Sequence, residues 1–205
     1  MRNQAEFEEI YQEFQPKVRH YLSRMLGDQA AEDIAQEVFA KVSRKLDSFK
    51  GKSSFSTWIY RIATNAALDK LRSPSFKRSS EHTPLEYSIG IEGRNAWTGQ
   101  AEPTVDQEVI RKEMSECVKE FVDRLPPDYR TVLILSELEG FKNREIADIL
   151  QISLDNVKVR LHRARARLKK ELDGGCSFYH SEQGALACDR KTVGILEPQK
   201  KIKTP

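Results

Sequence analysis

Apolar side chains recur every three or four positions through the first third of the chain. Phe7, Ile10, Tyr11, Phe14, Val18, Tyr21, Leu22 and Met25 form one such stripe, the spacing of a single helical face. Pro16 falls inside it and is expected to kink or divide that helix. Gly27 ends the stripe, and Asp28 is placed to cap the next helix. A second stripe runs through Ile34, Val38, Val42 and Leu46, and a third through Phe55, Ile59, Ile62 and Ala66. Residues 1–72 therefore read as one helical domain. The pattern then fails over 73–105, where Pro74, Pro84, Pro103, Gly90, Gly93 and Gly99 fall. That stretch reads as a linker, although Phe76, Tyr87 and Trp97 are unusual for an inert spacer. Periodicity returns near Asp106. Val109, Met114 (or Glu113), Cys117 and Phe121 predict a helix ending before Leu125-Pro126-Pro127. Tyr129, Val132, Leu133 and Leu135 predict another, stopped by Gly140. Two more follow at about 143–150 and 154–172, completing a second domain over 106–172. In the 173–205 extension, Ser177-Phe178-Tyr179 and Ala185-Leu186-Ala187 flank a glycine-containing turn and predict a hairpin. The fold class is all-α: two small helical domains joined by a flexible linker, with a short C-terminal extension.

The two closely spaced helices carry the clearest chemistry. Asn143 is a good N-cap, with Glu145 in the first turn, where the helix dipole favours an acid. Ile146, Ala147 and Leu150 face a core. Gln151-Ile152-Ser153 is the turn, Ser153 caps the next helix, and Val157 and Leu161 pack back on the first. Helix, three-residue turn and basic helix make a helix-turn-helix. Gln151 stands where such turns often use glycine to reach a left-handed backbone, at a cost of about 1 kcal/mol. Lys158, Arg160, Arg163, Arg165, Arg167 and Lys169 lie away from the apolar stripe of the second helix. Such cations neutralise phosphates, and arginine can grip guanine bidentately. Asn156, Lys158, Val159, His162 and Arg163 are best placed for base edges.

Net charge changes this picture only when it is divided along the chain. The whole chain has a formal charge of +3, from 34 Lys+Arg and 31 Asp+Glu. Residues 154–172 hold 7 basic and 2 acidic side chains, +5. Nineteen residues thus exceed the charge of the whole, which points to a polyanion contacted locally. No apolar run approaches the roughly 18–20 residues of a membrane span, and the N-terminal residues have no signal-like stretch. Three cysteines are no disulfide framework. The expected setting is the cytoplasm.

A second polar segment lies at 49–72. Lys50, Lys52, Ser53, Ser54, Thr57, Trp58, Tyr60, Arg61, Asn65 and Arg72 surround a loop that feeds a helix. Aromatic rings beside cations and amides suit single-stranded DNA, because every base has a stacking face. Flipped bases are read by small polar groups in a pocket. Phe55, Trp58 and Ile59 fit a core role better. On the preceding helix, Asp33, Gln36, Glu37, Lys41 and Arg44 lie off the apolar stripe, facing either a protein partner or solvent.

With these motifs in order, the chain resembles the extracytoplasmic-function group of bacterial sigma factors. DIAQEVF (33–39) resembles the polymerase-binding helix of region 2 in that family. STWIYRIATNAALDKLR (56–72) resembles its promoter-melting and −10-reading segment. LPPDYRTVLILSELEGFKNREIADIL with the basic helix resembles region 4, the reader of the −35 element. The resemblance implies a transcription initiation factor that binds core RNA polymerase and catalyses no reaction itself. Asp33, Gln36, Glu37 and Phe39 would lie in or beside the contact with the polymerase clamp, and the flap would be a further contact. Lys50, Lys52, Ser53, Ser54, Thr57, Trp58, Tyr60, Arg61, Asn65 and Arg72 would meet unpaired −10 DNA. Arg144, Ser153, Asn156, Lys158, Val159, Arg160, His162, Arg163, Arg165 and Arg167 would meet the −35 duplex. The 73–105 linker would run toward the active-site cleft, and an anti-sigma factor would be a further partner. Family members often carry Gly-Thr where Asp155-Asn156 stand and a small polar residue where Val159 stands, departures that bear on the −35 preference. The extension loosely resembles those of sigma-Z-like members.

In the extension, Cys176, His180 and Cys188 have the right chemistry for a soft metal, but C-x3-H-x7-C matches no standard zinc module. No metal and no cofactor is expected. The alternative reading is a stand-alone helix-turn-helix regulator, with 1–72 a sensing or dimerising domain. It leaves the polar-aromatic loop and long linker without a purpose. An enzyme is disfavoured, because His20, His82, His162 and His180 form no recognisable pair with a nucleophile.

Overall fold

The computed structural model describes residues 2–76, 118–180 and 186–191. The expected helix start at Asp106 and the 77–105 part of the linker lie outside them. Three helices build the first unit: α1 (Arg2–Leu26), α2 (Asp28–Lys45) and α3 (Phe55–Arg72). Pro16 sits inside α1 without dividing it. The residues after it, Val18, Tyr21, Leu22 and Met25, are fully buried. Burial of each contributes about 2 kcal/mol, enough to offset the one backbone hydrogen bond that proline removes. Asp28 does not cap α2: the capping position is Gly27, at φ 84°, and Asp28 is the first helical residue. Ser54 caps α3, its Oγ accepting from the Thr57 amide at 3.1 Å.

A helical stretch at 118–123 leads into the second unit. Its helices are α4 (Pro127–Leu133), α5 (Asn143–Leu150) and α6 (Leu154–Gly175). Pro127 opens α4 at the first position, where its missing N–H costs nothing. The helix continues as a π-turn over Ile134–Leu138, and Gly140 stops it at φ 74°. In this turn the Glu139 amide donates to the Ile134 carbonyl at 3.0 Å. Glu139 follows this turn and its side chain meets the first unit. Asn143 is the first residue of α5 and not its cap. Lys142 holds that position, and since lysine has no acceptor, the cap consists of Glu145 accepting the Lys142 amide at 2.8 Å.

The C-terminal strands β1 (Cys176–His180) and β2 (Leu186–Arg190) pair antiparallel, with Phe178 opposite Cys188. The hairpin folds back on α6 and the 118–123 stretch, where Phe121 and Cys176 are buried together with Leu168 and Leu172 around them. Gly175 permits this: a side-chain carbon there would overlap the Phe121 ring. Arg190 also pairs with Glu120. The helix α6 runs three residues past the expected end at 172, because its last turn packs under this hairpin.

One buried cluster runs through both helical units, and α3 packs on α5.

Candidate nucleic-acid interface

The turn between α5 and α6 is built as the sequence requires. Gln151 adopts φ 54°, ψ 43°, the left-handed region, and its side-chain amide donates back to the Asp148 carbonyl at 2.7 Å. That bond offsets part of the backbone strain. Ser153 caps α6, accepting from the Asn156 amide at 3.2 Å. Ile146, Ile149, Val157, Leu161 and Ala164 are buried, so the two helices are locked by their facing apolar residues. The outer face of α6 stays in solvent.

On that face three cations are turned aside to acidic neighbours. Arg165 donates to Glu137 at 2.6 Å, Arg160 lies 3.6 Å from Asp128, and Lys158 lies 3.4 Å from Asp155. Arg160 is only one-third exposed, less open than its place on the polar side suggested. Asn156, Val159, His162 and Arg163 form the outward strip between these pairs. Arg144 and Ser153 are exposed near the start of the two helices. Arg167 turns to the groove between the units, beside Leu68, Leu71, Arg72 and Tyr129.

The 49–72 segment is more divided. Lys50, Lys52, Ser54, Asn65 and Arg72 are exposed. Phe49, Phe55 and Trp58 meet edge to face or tilted, with centroids 5.1 to 5.4 Å apart. They form a half-buried aromatic patch at the two ends of the Lys50–Ser54 loop, and Phe55 and Trp58 pack against the core. Thr57 is 1% exposed and its hydroxyl lies 2.7 Å from that of Ser54, so it serves the cap. Tyr60 is buried too.

Tyr60 and Arg61 are engaged by the other unit. The Tyr60 hydroxyl donates to Glu139 Oε2 at 2.8 Å, and Arg24 Nη1 donates to Oε1 at 2.9 Å. Arg24 and Glu139 side chains are 11% and 10% exposed. The Tyr60 ring meets Phe141 edge to face at 4.7 Å, and Arg61 Nε donates to the Asp148 carbonyl at 2.8 Å. Burial pushes the Glu139 carboxyl above its ordinary value, against the lowering effect of Tyr60 and Arg24. Burial and the same carboxylate push the Tyr60 phenol far up, so it stays protonated and donates. Behind it, Thr64 donates to the Tyr60 carbonyl at 2.6 Å, which leaves the Tyr21 hydroxyl to donate to Thr64 at 2.8 Å. Arg130 is buried and lies 3.4 Å from the partly buried Asp123. Arg24 and Glu139 are not legible from the sequence, because a cation and an acid 115 positions apart give no local signal.

Of the four polymerase-facing candidates, Asp33, Gln36 and Glu37 form an exposed acidic strip on α2. Phe39 is only 3% exposed and meets the Tyr11 ring edge on at 5.0 Å, which makes it a core residue. Cys176 is buried, and His180 lies at the far end of the same strand. Among the described residues no three metal-ligating side chains come together, and no helix is long and apolar enough to cross a membrane.

A helical unit carrying a loop of cations over aromatic rings, joined to a capped helix-turn-helix with a basic outer face, defines a DNA-binding protein of the helix-turn-helix class. Comparison sharpens this. The model of Sigma-70 region 2 matches residues 2–76, and that of Sigma-70 region 4 matches 115–168. The sigma factor SigW of Bacillus subtilis is 35% identical over 173 residues, covering 83% of this chain and 90% of the relative. The RNA polymerase sigma-H factor of Pseudomonas aeruginosa is 34% identical, covering 81% and 86%. SigZ of Bacillus subtilis is 29% identical, covering 87% and 94%. The fold matches that of CnrH in complex with the cytosolic domain of CnrY, at a TM-score of 0.58, 21% identity and coverage of 83% and 90%. It likewise matches RpoE in complex with the anti-sigma factor NepR from Bartonella quintana, at a TM-score of 0.58, 23% identity and coverage of 82% and 97%. The chain belongs to the extracytoplasmic-function group of the sigma-70 family. It is a transcription initiation factor that binds core RNA polymerase and directs it to promoter DNA.

Proposed function

We propose a division of labour within that activity. Residues 1–72 hold the polymerase and read the −10 element, 106–172 read the −35 element, 73–105 link the two, and 173–205 form an added extension. Helix α6 enters the major groove of the −35 duplex, with Asn156, Val159, His162 and Arg163 at base edges and the flanking cations on phosphates. Lys50, Lys52 and Asn65 attract the unpaired −10 strand over the Phe49–Phe55–Trp58 patch. Asp33, Gln36 and Glu37 meet the polymerase clamp, and region 4 meets the flap. The factor supplies recognition and leaves catalysis to the polymerase. It works in the cytoplasm and takes no cofactor. An anti-sigma factor is a fitting regulator.

The observation that carries this reading is the Gln151–Ser153 turn, which sets α6 against α5 with its basic strip outward. The contacts of Tyr60 and Arg61 add a requirement. Those two side chains grip region 4 in this structure, so both promoter elements can be read together only once α3 and α5 part.

Run-off transcription on bacterial genomic DNA, with purified core polymerase and with or without the protein, tests the reading. Discrete protein-dependent transcripts are expected, and their start points give both promoter elements. Tight duplex binding, without transcripts and without co-migration with core polymerase, would overturn it in favour of the stand-alone regulator.

A further inference from the structure

The centre of the outward strip on α6 is apolar. Val159 is 45% exposed, although a branched aliphatic side chain gains by burial. At 3.6 residues per turn, Asn156, Val159, His162 and Arg163 fall within a sector of roughly 120°, with Val159 in its middle; Asp155 lies in the same sector, its carboxylate paired with Lys158. The residues that flank that sector are turned away, Arg160 to Asp128 and Arg165 to Glu137. Val159 lies in the second turn of a capped recognition helix, the part that reaches base edges in a helix-turn-helix. It is also stiff. Branching at Cβ leaves one strongly preferred rotamer in a helix, so its methyl groups are presented at a fixed place with little entropy to lose.

Valine neither donates nor accepts a hydrogen bond. Of the groups on the major-groove floor, the C5-methyl of thymine is the one apolar group large enough to fill a contact with valine; cytosine C5–H is smaller, and the remaining groups named there are donors and acceptors. A valine pressed against guanine O6 or cytosine N4 would strip water from a polar group and return nothing. We propose that Val159 is a specificity-determining residue that selects a thymine in the −35 duplex through its 5-methyl group. The proposal rests on the sigma-factor reading of α6 and adds the identity of one base.

Deoxyuridine tests it, because it pairs as thymine does and lacks the methyl. The probe is the strongest protein-dependent promoter from the run-off experiment. Each thymine of its −35 region, on either strand, is replaced in turn by deoxyuridine. The wild-type protein is expected to lose roughly fourfold in initiation at one position, the worth of one buried methyl. The exposed site lets Val159→Ala fold normally, and that variant, which loses both γ-methyls, is expected to lose most of the fourfold discrimination at that position while still needing the rest of the element. Val159→Thr, which keeps one methyl, should retain part of the discrimination. Two results would overturn the proposal: no thymine whose methyl matters, or one whose effect is undiminished in Val159→Ala. A wild-type protein that initiates on no template would instead sink the sigma reading beneath it, a failure visible before any base is exchanged.

Discussion

Arg24 and Arg165 each pair with a glutamate, and the two pairs have opposite meanings. Arg165 and Glu137 are 58% and 48% exposed. Such pairs are screened and gain little over hydration, so Arg165 can leave its carboxylate at small cost. Arg24 and Glu139 lie at 11% and 10% exposure, with Tyr60 completing the set. Their desolvation is largely repaid only while all three stay together. The basic helix therefore carries charge that can be redeployed, and the seam between the units carries charge that fixes their geometry.

The sharpest way to break this contrast is Arg24→Ala. It leaves Glu139 buried with its cation gone, and should cost about 3–5 kcal/mol. Because the pair joins two units, the loss should read as their separation: an increased radius of gyration in small-angle scattering, with helicity kept. An unchanged radius would show that the apolar contacts alone hold the seam.

The pH dependence sharpens it next. Burial raises the Glu139 and Asp123 carboxyls above their ordinary values. The folded state therefore holds more protons than the unfolded one across that interval. Stability from these groups is greatest below the ordinary carboxylate range and falls as pH rises through the raised values. Urea midpoints should thus decline on the alkaline side of about pH 4.5, the ordinary value of Glu139. Glu139→Gln, which cannot titrate, should flatten the Glu139 part of that slope.

The smallest effect belongs to the exposed pair. Arg165→Ala should change the thermal midpoint by no more than the equivalent of about 0.5 kcal/mol. It should also lower the salt sensitivity of promoter binding by about one phosphate contact. A large stability loss would put Arg165 in the same class as Arg24.

Local chemistry made much of this molecule legible. The helix-turn-helix could be read because each of its parts is a short-range signal: Ser153 as cap, Gln151 in a left-handed turn, Val157 and Leu161 one turn apart. The hairpin was readable for the same reason. The caps at Gly27 and Lys142 are not legible in the sequence, because Asp28 and Asn143, one position later, have the usual capping chemistry. Phe39 and Thr57 look functional from the chain alone, as a polar or aromatic residue beside a motif does, but packing within the first unit buries both. Tyr60 is covered from the second unit, by Glu139 and Phe141.

The sequence by itself determined the helices, the turn that aims α6 and the positive charge concentrated on it. Those depend on spacing and on neighbours within a few residues. Only the tertiary structure decided which charges are buried. Arg24, Tyr60 and Glu139 come from three separate elements, and desolvation depends on what surrounds a group in space. Tertiary packing likewise left Val159 in the open, because no neighbouring element covers the outer face of α6 at that turn.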